Sequence, residues 1–411
     1  MNTSKDVVII GAGPAGLAAA VALKKKGVEE ITVLEREDNA GGILRQCIHD
    51  GFGLTCFGES ISGPEYAERF LKQALELNIE IMTGATVISL SQEKCVTITS
   101  DKGLIKIQAK TVVLAMGCRE RTRGALAIPG ERPSGIYTAG MAQNYINLCN
   151  LMVGREIVIL GSGDIGLIMA RRLALEGAHV IGVYEVLPYP SGLNRNITQC
   201  LKDYEIPLYL SETVTEIHGR TRLNGVTVSK VDQNRKPIPG SKRGIPCDTL
   251  ILSVGLIPEN ELSMEAGVQL DSKTGAAVVS ESYETNISGI FAAGNVLHVH
   301  DLADQVSLEA ERLANGVFEY LTKKRLEAVD IKVVPQKGIR YVIPQHISHK
   351  KDFFLSFRVK RPMEDCAVEL IQNGQIIMKR KKIRLLPAEM IQIKVPEKSI
   401  QDHGEIEVLV R

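Results

Sequence analysis

The sequence predicts an α/β protein in which one dinucleotide-binding unit is inserted into another, with a small all-β module behind them. Three observations carry this. A strand–turn–helix–strand pattern with the spacing Gly-x-Gly-x-x-Gly occurs twice, at Asp6–Arg36 and at Arg155–Val186. A short apolar run ending in glycine, "GIFAAGN" at Gly289–Asn295, follows the second copy and fits back into the first. From about Asp330 the pattern changes to short alternating runs such as "FFLSFRV" and "GEIEVLV", the period of half-buried strands. The expected boundaries are 1–122 and 258–326 for the first unit, 123–257 for the inserted one and 327–411 for the β module.

In the first copy, Val7–Ile10 is a continuous apolar run, as in a parallel strand buried on both faces. It ends at Gly11, Gly13 and Gly16; an Ala/Leu-rich helix closes near Gly27, and a second apolar strand, Ile31–Leu34, stops at Glu35. The second copy has Gly161, Gly163 and Gly166, a helix closing at Gly177, and Glu185. First glycine and terminal acid stand 24 residues apart in both copies, and first glycine and helix-closing glycine 16 apart. The first glycine makes the tight turn, the second admits a pyrophosphate close to the backbone, and the third lets helix and strand pack. The helix N-terminus offers unpaired N–H groups to the phosphates, and the acid accepts from ribose hydroxyls. A 2′-phosphate would meet the charge of Glu185, so the second unit is expected to prefer NADH over NADPH. Two further runs, "VVLAMG" ending at Gly117 and "LILSVG" ending at Gly255, repeat the strand-to-glycine device.

Composition narrows the function classes. A formal net charge of +1 and the few aromatics give no global signal for nucleic acid. No apolar run reaches transmembrane length. The N-terminus passes almost directly into the first strand, so no signal peptide is expected. The eight cysteines include no CxxC, which fits neither a zinc site nor a disulfide framework, and a reducing, cytoplasmic setting is the simplest expectation.

The order of these runs resembles the two-dinucleotide-binding-domain flavoprotein reductases, the superfamily of thioredoxin and glutathione reductases. The marks are the N-terminal glycine motif, the strand ends at Gly117 and Gly255, and "AAGN", where Asn295 stands in place of the usual aspartate. The resemblance implies two Rossmann-like domains, with the NAD domain inserted in the FAD domain. FAD would contact Gly11, Gly13, Pro14, Ala15, Gly16, Glu35, Arg36, Gly42, Val87, Ala115, Gly117, Gly294, Asn295 and Asp301. NAD(H) would contact Gly161, Gly163, Asp164, Ile165, Gly166, Glu185 and Gly255.

A narrower resemblance rests on "GGILRQCIHDGFGL", "GCRERTRGALAIPGERPSGIYTAGMAQNYIN" and "GNVLHVHDLADQVSLEAERLANG". These segments are similar to flavin subunits found with glycerol-3-phosphate dehydrogenase-type proteins, relatives of the flavin subunits of amino-acid and opine dehydrogenase complexes. That implies electron exchange between NAD(H) and a partner dehydrogenase subunit, in glycerol 3-phosphate or related catabolism. A small cysteine-rich or iron–sulfur protein is a further implied partner, since only Cys366 follows residue 247. The chain is then expected in a homo- or hetero-oligomer. Two rival readings are a stand-alone NADH oxidase or disulfide reductase using Cys47, and a structural FAD-binding subunit without turnover.

Several side chains admit two readings each. Cys47 is either a flavin-facing thiolate or a buried, inert thiol; Cys56, nine residues on, is its one nearby companion. His49 is either a proton carrier beside the flavin or a structural histidine. In "NVLHVHD", His298 and His300 lack an apparent third metal ligand, so no metal is expected. Asp301 is expected to N-cap the following helix, with one histidine, His300, in the flavin's surroundings. "RERTR" at Arg119–Arg123 either anchors carboxylates or is a solvated crossover. In the β module, Asn373-Gly374 signals a hairpin. From residue 331 on, 16 Lys and Arg stand against 9 Asp and Glu, and the basic face with Lys350, Lys351, Lys379–Lys382 and Arg384 suits an acidic partner.

Overall fold

The structure is a computed structural model, and it describes residues 2–324, 326, 329–348 and 350–411. It divides into two units, residues 1–118 with 258–411, and residues 119–257. In this division the β module falls with the first unit and the join lies at Cys118.

The first unit is built on a seven-stranded sheet. Asn2–Ile10 lies between Ile31–Leu34 and Gly103–Leu114, parallel to both. The strand Ile290–Ala292 pairs parallel with the end of Gly103–Leu114, Ile290 opposite Val112. The chain thus returns after the inserted unit to complete the sheet it had left. Against the sheet pack the helices Pro14–Lys25 and Ala303–Lys323. The first buries a run of alanines, Ala18, Ala19 and Ala20, with Leu17 and Leu23, small side chains that allow a close approach to its neighbours. Its last turn carries Lys24 and Lys25, the charge that suits a helix C-terminus.

The second unit repeats the plan. Five strands form one sheet in which Glu156–Leu160 pairs parallel with His179–Glu185 and Thr249–Leu252. The helix Asp164–Leu175 follows the glycine turn. A three-stranded antiparallel sheet adds Glu212–His218, Gly225–Lys230 and Arg243–Ile245.

Beyond residue 330 two sheets of five and three strands enclose a core of their own, centred on Leu355, Phe357, Val368 and Val408. The hairpin Met363–Gln372 and Gln375–Leu385 turns at Asn373 and Gly374, both with positive φ (50° and 76°), the conformation such two-residue turns require. The second of these strands lies at the edge of its sheet and is exposed at every position from Lys379 to Arg384.

Candidate functional site

The end of the first strand is where the glycines act. Gly11 has φ +106°, and a Cβ there would lie 2.4 Å from the Ala115 carbonyl oxygen. A Cβ on Gly16 would come within 1.8 Å of the Gly11 oxygen. Gly13, by contrast, faces open space, its nearest neighbour being the Cα of Gly42 at 4.0 Å. The loop carrying Gly42 is tied back by the Gly41 amide, which donates to the Ala12 oxygen at 2.8 Å. The helix begins at Pro14 with no side-chain cap and no acid in its first turn, so its N-terminal amides stay available to an anion. Glu35 is buried; its carboxylate accepts from the Ala12 amide (2.9 Å) and the Glu37 amide (3.0 Å). Two of roughly four acceptor positions are used, which leaves capacity for ribose hydroxyls. An open glycine cradle, uncapped amides and a part-free carboxylate fit FAD. Arg36 is exposed beside Glu37, and Val87 is half-buried on the strand Thr86–Leu90. Ala115 continues the sheet through the Ile10 oxygen, and Gly117 turns with φ +73°.

The returning segment meets this cradle. A Cβ on Gly294 would lie 2.8 Å from that of Ala15, so the segment sits directly on the first helical turn. Its geometry is controlled by Glu309, a residue the sequence reading missed. One Glu309 oxygen accepts from the Gly294 amide at 2.9 Å; the other lies 2.7 Å from Nε2 of His298 and 3.4 Å from that of His300. All three side chains are buried. Burial alone would raise the Glu309 pKa, but the two histidines bring it well below the usual carboxylate range. His298, His300 and Glu309 are a possible ligand set for an ion. The 2.7 Å separation is nevertheless that of a hydrogen bond, since ligands about 2.0–2.1 Å from a tetrahedral ion stand roughly 3.3 Å apart. Asn295 accepts from the His300 amide at 3.1 Å. The signal for Glu309 was an acid in the apolar stripe of Val306, Ala310, Leu313 and Val317.

Asp301 does not cap the helix. The helix starts at Ala303, with Leu302 at the cap position and no side-chain cap bond. The Asp301 carboxylate is instead taken by the Arg358 guanidinium and by the Met390 amide, both from the β module. Asp304 accepts from the Thr55 amide at 2.9 Å, fastening the loop that holds the first cysteines.

In that loop Cys47 is partly accessible as a residue, yet its sulfur is packed closely enough that burial pushes the thiol up to about 12. Sγ donates to the Ile43 oxygen at 3.4 Å. Burial likewise lifts Cys56 to about 11, with the Tyr66 hydroxyl 3.4 Å from its sulfur. A reactive thiolate needs a depressed pKa, so the environment of Cys47 favours the inert reading. His49 is partly exposed, Nδ1 at 3.0 Å from the Asp50 oxygen and its ring 5.0 Å from that of Phe52.

The second unit follows the first in its turn geometry and in the two backbone bonds to its acid. Gly161 has φ +97°, and its Cβ would lie 2.0 Å from the Ser253 oxygen. Glu185 accepts from the amides of Ser162 (3.1 Å) and Leu187 (3.0 Å), as Glu35 does from those of Ala12 and Glu37. It accepts in addition from the hydroxyls of Ser162 (2.6 Å) and Ser191 (2.8 Å). Gly163 meets only the Ser253 side chain at 3.3 Å and backbone at 3.8 Å, and the Gly166 amide donates to the Ser253 hydroxyl at 3.1 Å. Asp164 heads the helix, and its carboxylate binds the Leu193 amide and the Asn196 side chain, holding the neighbouring loop. Ile165 packs against the unit's core. Gly255 has φ +103°, and its oxygen accepts from the Arg121 amide at 2.9 Å. In "RERTR", Glu120 accepts from the Gly140 amide, and Arg123 donates to the oxygens of Ile128 and Gly130. These are structural duties.

A family model described as pyridine nucleotide-disulphide oxidoreductase matches residues 5–315. The chain belongs to this family. It is an FAD-dependent oxidoreductase that uses NAD(P)H. It is 27% identical to the glutamate synthase [NADPH] small chain of Escherichia coli (strain K12), over 78% of this chain and 69% of that one. It is 26% identical to a subunit of the opine oxidase of Agrobacterium tumefaciens (strain Ach5), over 71% of this chain and 61% of that one. The crystal structure of T. acidophilum thioredoxin reductase superimposes with a TM-score of 0.63 at 26% identity, covering 77% of this chain and 98% of that one. Among the described residues no helix is long and apolar enough to cross a membrane.

Proposed function

We propose that this chain exchanges hydride between NAD(H) and FAD and relays the electrons to or from a partner dehydrogenase. The observation that carries the reading is two complete dinucleotide cradles in a chain without CxxC, whose Cys47 and Cys56 thiols are held protonated by burial. Bound FAD supplies the chemistry, taking a hydride at its ring from reduced nicotinamide. The chain's own residues bind and orient. The helix starts at Pro14 and Asp164 would receive the two pyrophosphates, the first with its amides uncapped and the second with its Gly166 amide already held by the Ser253 hydroxyl. Glu35 receives the ribose in the first unit. Glu185, fixed by four donors, cannot swing away from a 2′-phosphate, which favours NADH over NADPH. The exposed cations Lys379–Lys382 and Arg384 suit an acidic partner surface. A multi-subunit setting is supported by two relatives whose names denote one chain of a larger enzyme, the glutamate synthase small chain and the opine oxidase subunit. The glycerol 3-phosphate setting rests on the resemblance of the three segments quoted above.

Anaerobic titration of the FAD-loaded protein with NADH tests the reading. Full bleaching at about one NADH per FAD is expected, with slower reduction by NADPH and no long-wavelength thiolate–flavin band. Two equivalents with such a band would mean a working dithiol. Rapid turnover with oxygen alone would favour a stand-alone oxidase, and an unbleached flavin would favour a structural subunit.

A further inference from the structure

We propose that the β module holds the flavin-side loop in place through Arg358, which makes Arg358 a positioning residue for the FAD site. The proposal rests on the FAD assignment above. The module lies beyond the family match, which ends at residue 315, yet it grips the segment between the strand Ile290–Ala292 and the helix Ala303–Lys323. That segment carries Asn295, His300 and Asp301. From within, Glu309 holds it by the Gly294 amide and His298. From outside, Arg358, on the strand Phe353–Val359 and only 8% exposed, reaches into it.

One end of the guanidinium donates to the Val299 oxygen at 3.0 Å and to the Asp301 carboxylate. The other end donates to the oxygens of Pro387 (3.1 Å) and Ala388 (2.5 Å) within the module. The second Asp301 oxygen accepts from the Met390 amide at 2.6 Å. A planar fork with donors at both ends can bridge two elements in this way; a lysine ammonium, a single point, cannot. Tyr341 of the same module packs in the first unit's core, its ring 6.1 Å from that of His298. Removing Arg358 frees the Val299 carbonyl and strands Asp301 without its counterion, at the step between Asn295 and the helix N-terminus. A second attachment lies elsewhere: the Ser348 hydroxyl donates to Glu281 at 2.7 Å.

The test compares R358M, R358K and S348A in the full chain. The readouts are FAD dissociation constant, visible-region circular dichroism of bound flavin, and melting temperature. R358M is expected to weaken FAD by about tenfold or more and to change the flavin dichroism. R358K, which keeps charge and stem and serves where R358M does not fold, is expected to bind FAD with a changed dichroism. S348A is expected to leave both flavin readouts as in the wild type. Wild-type flavin affinity and dichroism in the folded Arg358 variants would overturn the proposal, and so would equal flavin effects of S348A and R358M. A wild-type chain that binds no FAD would overturn the cofactor assignment itself, a result distinct from either.

Discussion

Replacing Gly16 by alanine tests which unit holds the flavin, because the structure sets the size of the effect. The new Cβ would sit 1.8 Å from the Gly11 oxygen and 3.3 Å from Cγ2 of Ile9. Real Cβ atoms essentially never approach closer than 3.0 Å, so the helix must retreat by about 1.2 Å from a backbone atom that cannot rotate away. Overpacking of this kind costs about 3 kcal/mol at the upper end of its usual range. If the bound state demands the original geometry, that is roughly a hundredfold in FAD affinity. The matching change at Gly166 is milder: the nearest atom is Cβ of Ser253 at 2.7 Å, a shortfall of about 0.3 Å that costs about 1 kcal/mol, or roughly fivefold. G16A should therefore purify largely without flavin. G166A should keep its flavin and show a higher NADH concentration dependence of flavin reduction in stopped flow. Flavin content and FAD titration calorimetry decide the first point. A G16A protein with wild-type FAD affinity would refute the close-approach argument, and loss of FAD from G166A but not G16A would reverse the assignment.

Two further outcomes follow from the buried groups. Cys47, Cys56 and Cys247 have thiols raised by burial to about 12, 11 and 12. Their contribution to stability is complete below the unfolded value of about 8.5 and is lost as pH rises from there toward 11–12, because the unfolded chain ionises first. Thermal melts should decline above about pH 9, and C247A should flatten that decline; a decline that C247A leaves unchanged would count against this cause. Glu309→Leu orphans the Gly294 amide and the His298 ring N–H, each costing about 1–3 kcal/mol. Glu309→Gln should cost less, since His298 can change tautomer and accept from the amide; calorimetric melts that rank the two variants the other way would contradict the hydrogen-bonded cluster.

The dinucleotide frame was legible because its signals are local. The first and third glycines of both motifs meet close contacts, and the second stands more open, as the spacing alone anticipates, and the hairpin at Asn373-Gly374 follows from turn chemistry within two residues. The misreading of Asp301 has the opposite origin. An aspartate just before a helix pattern is a sound capping signal, but a buried guanidinium arriving from 57 residues away outbids a helix amide for the carboxylate. Glu309 was missed, and Cys47 left open between two readings, for the same reason. A thiol's reactivity and a carboxylate's partners depend on what packs around them, and neighbours distant in sequence write no pattern into the chain.

The two carboxylates show where the copies diverge and why. Both hold the amide after the first glycine and the amide two residues beyond themselves. There Glu35 stops, with about two of its four acceptor positions still open. Glu185 goes on to accept from the hydroxyls of Ser162 and Ser191, both on the oxygen that holds the Ser162 amide, while its other oxygen holds only the Leu187 amide. A ribose arriving at Glu35 finds an open position on each oxygen, whereas at Glu185 only the oxygen bound by the Leu187 amide has room, and a second ribose bond there must displace a serine hydroxyl. The first arrangement suits a dinucleotide that stays, and the second one that must leave after every turnover. The same motif can thus serve a resident cofactor and an exchanging substrate through two serine hydroxyls, with Ala12 standing in the first copy where Ser162 stands in the second.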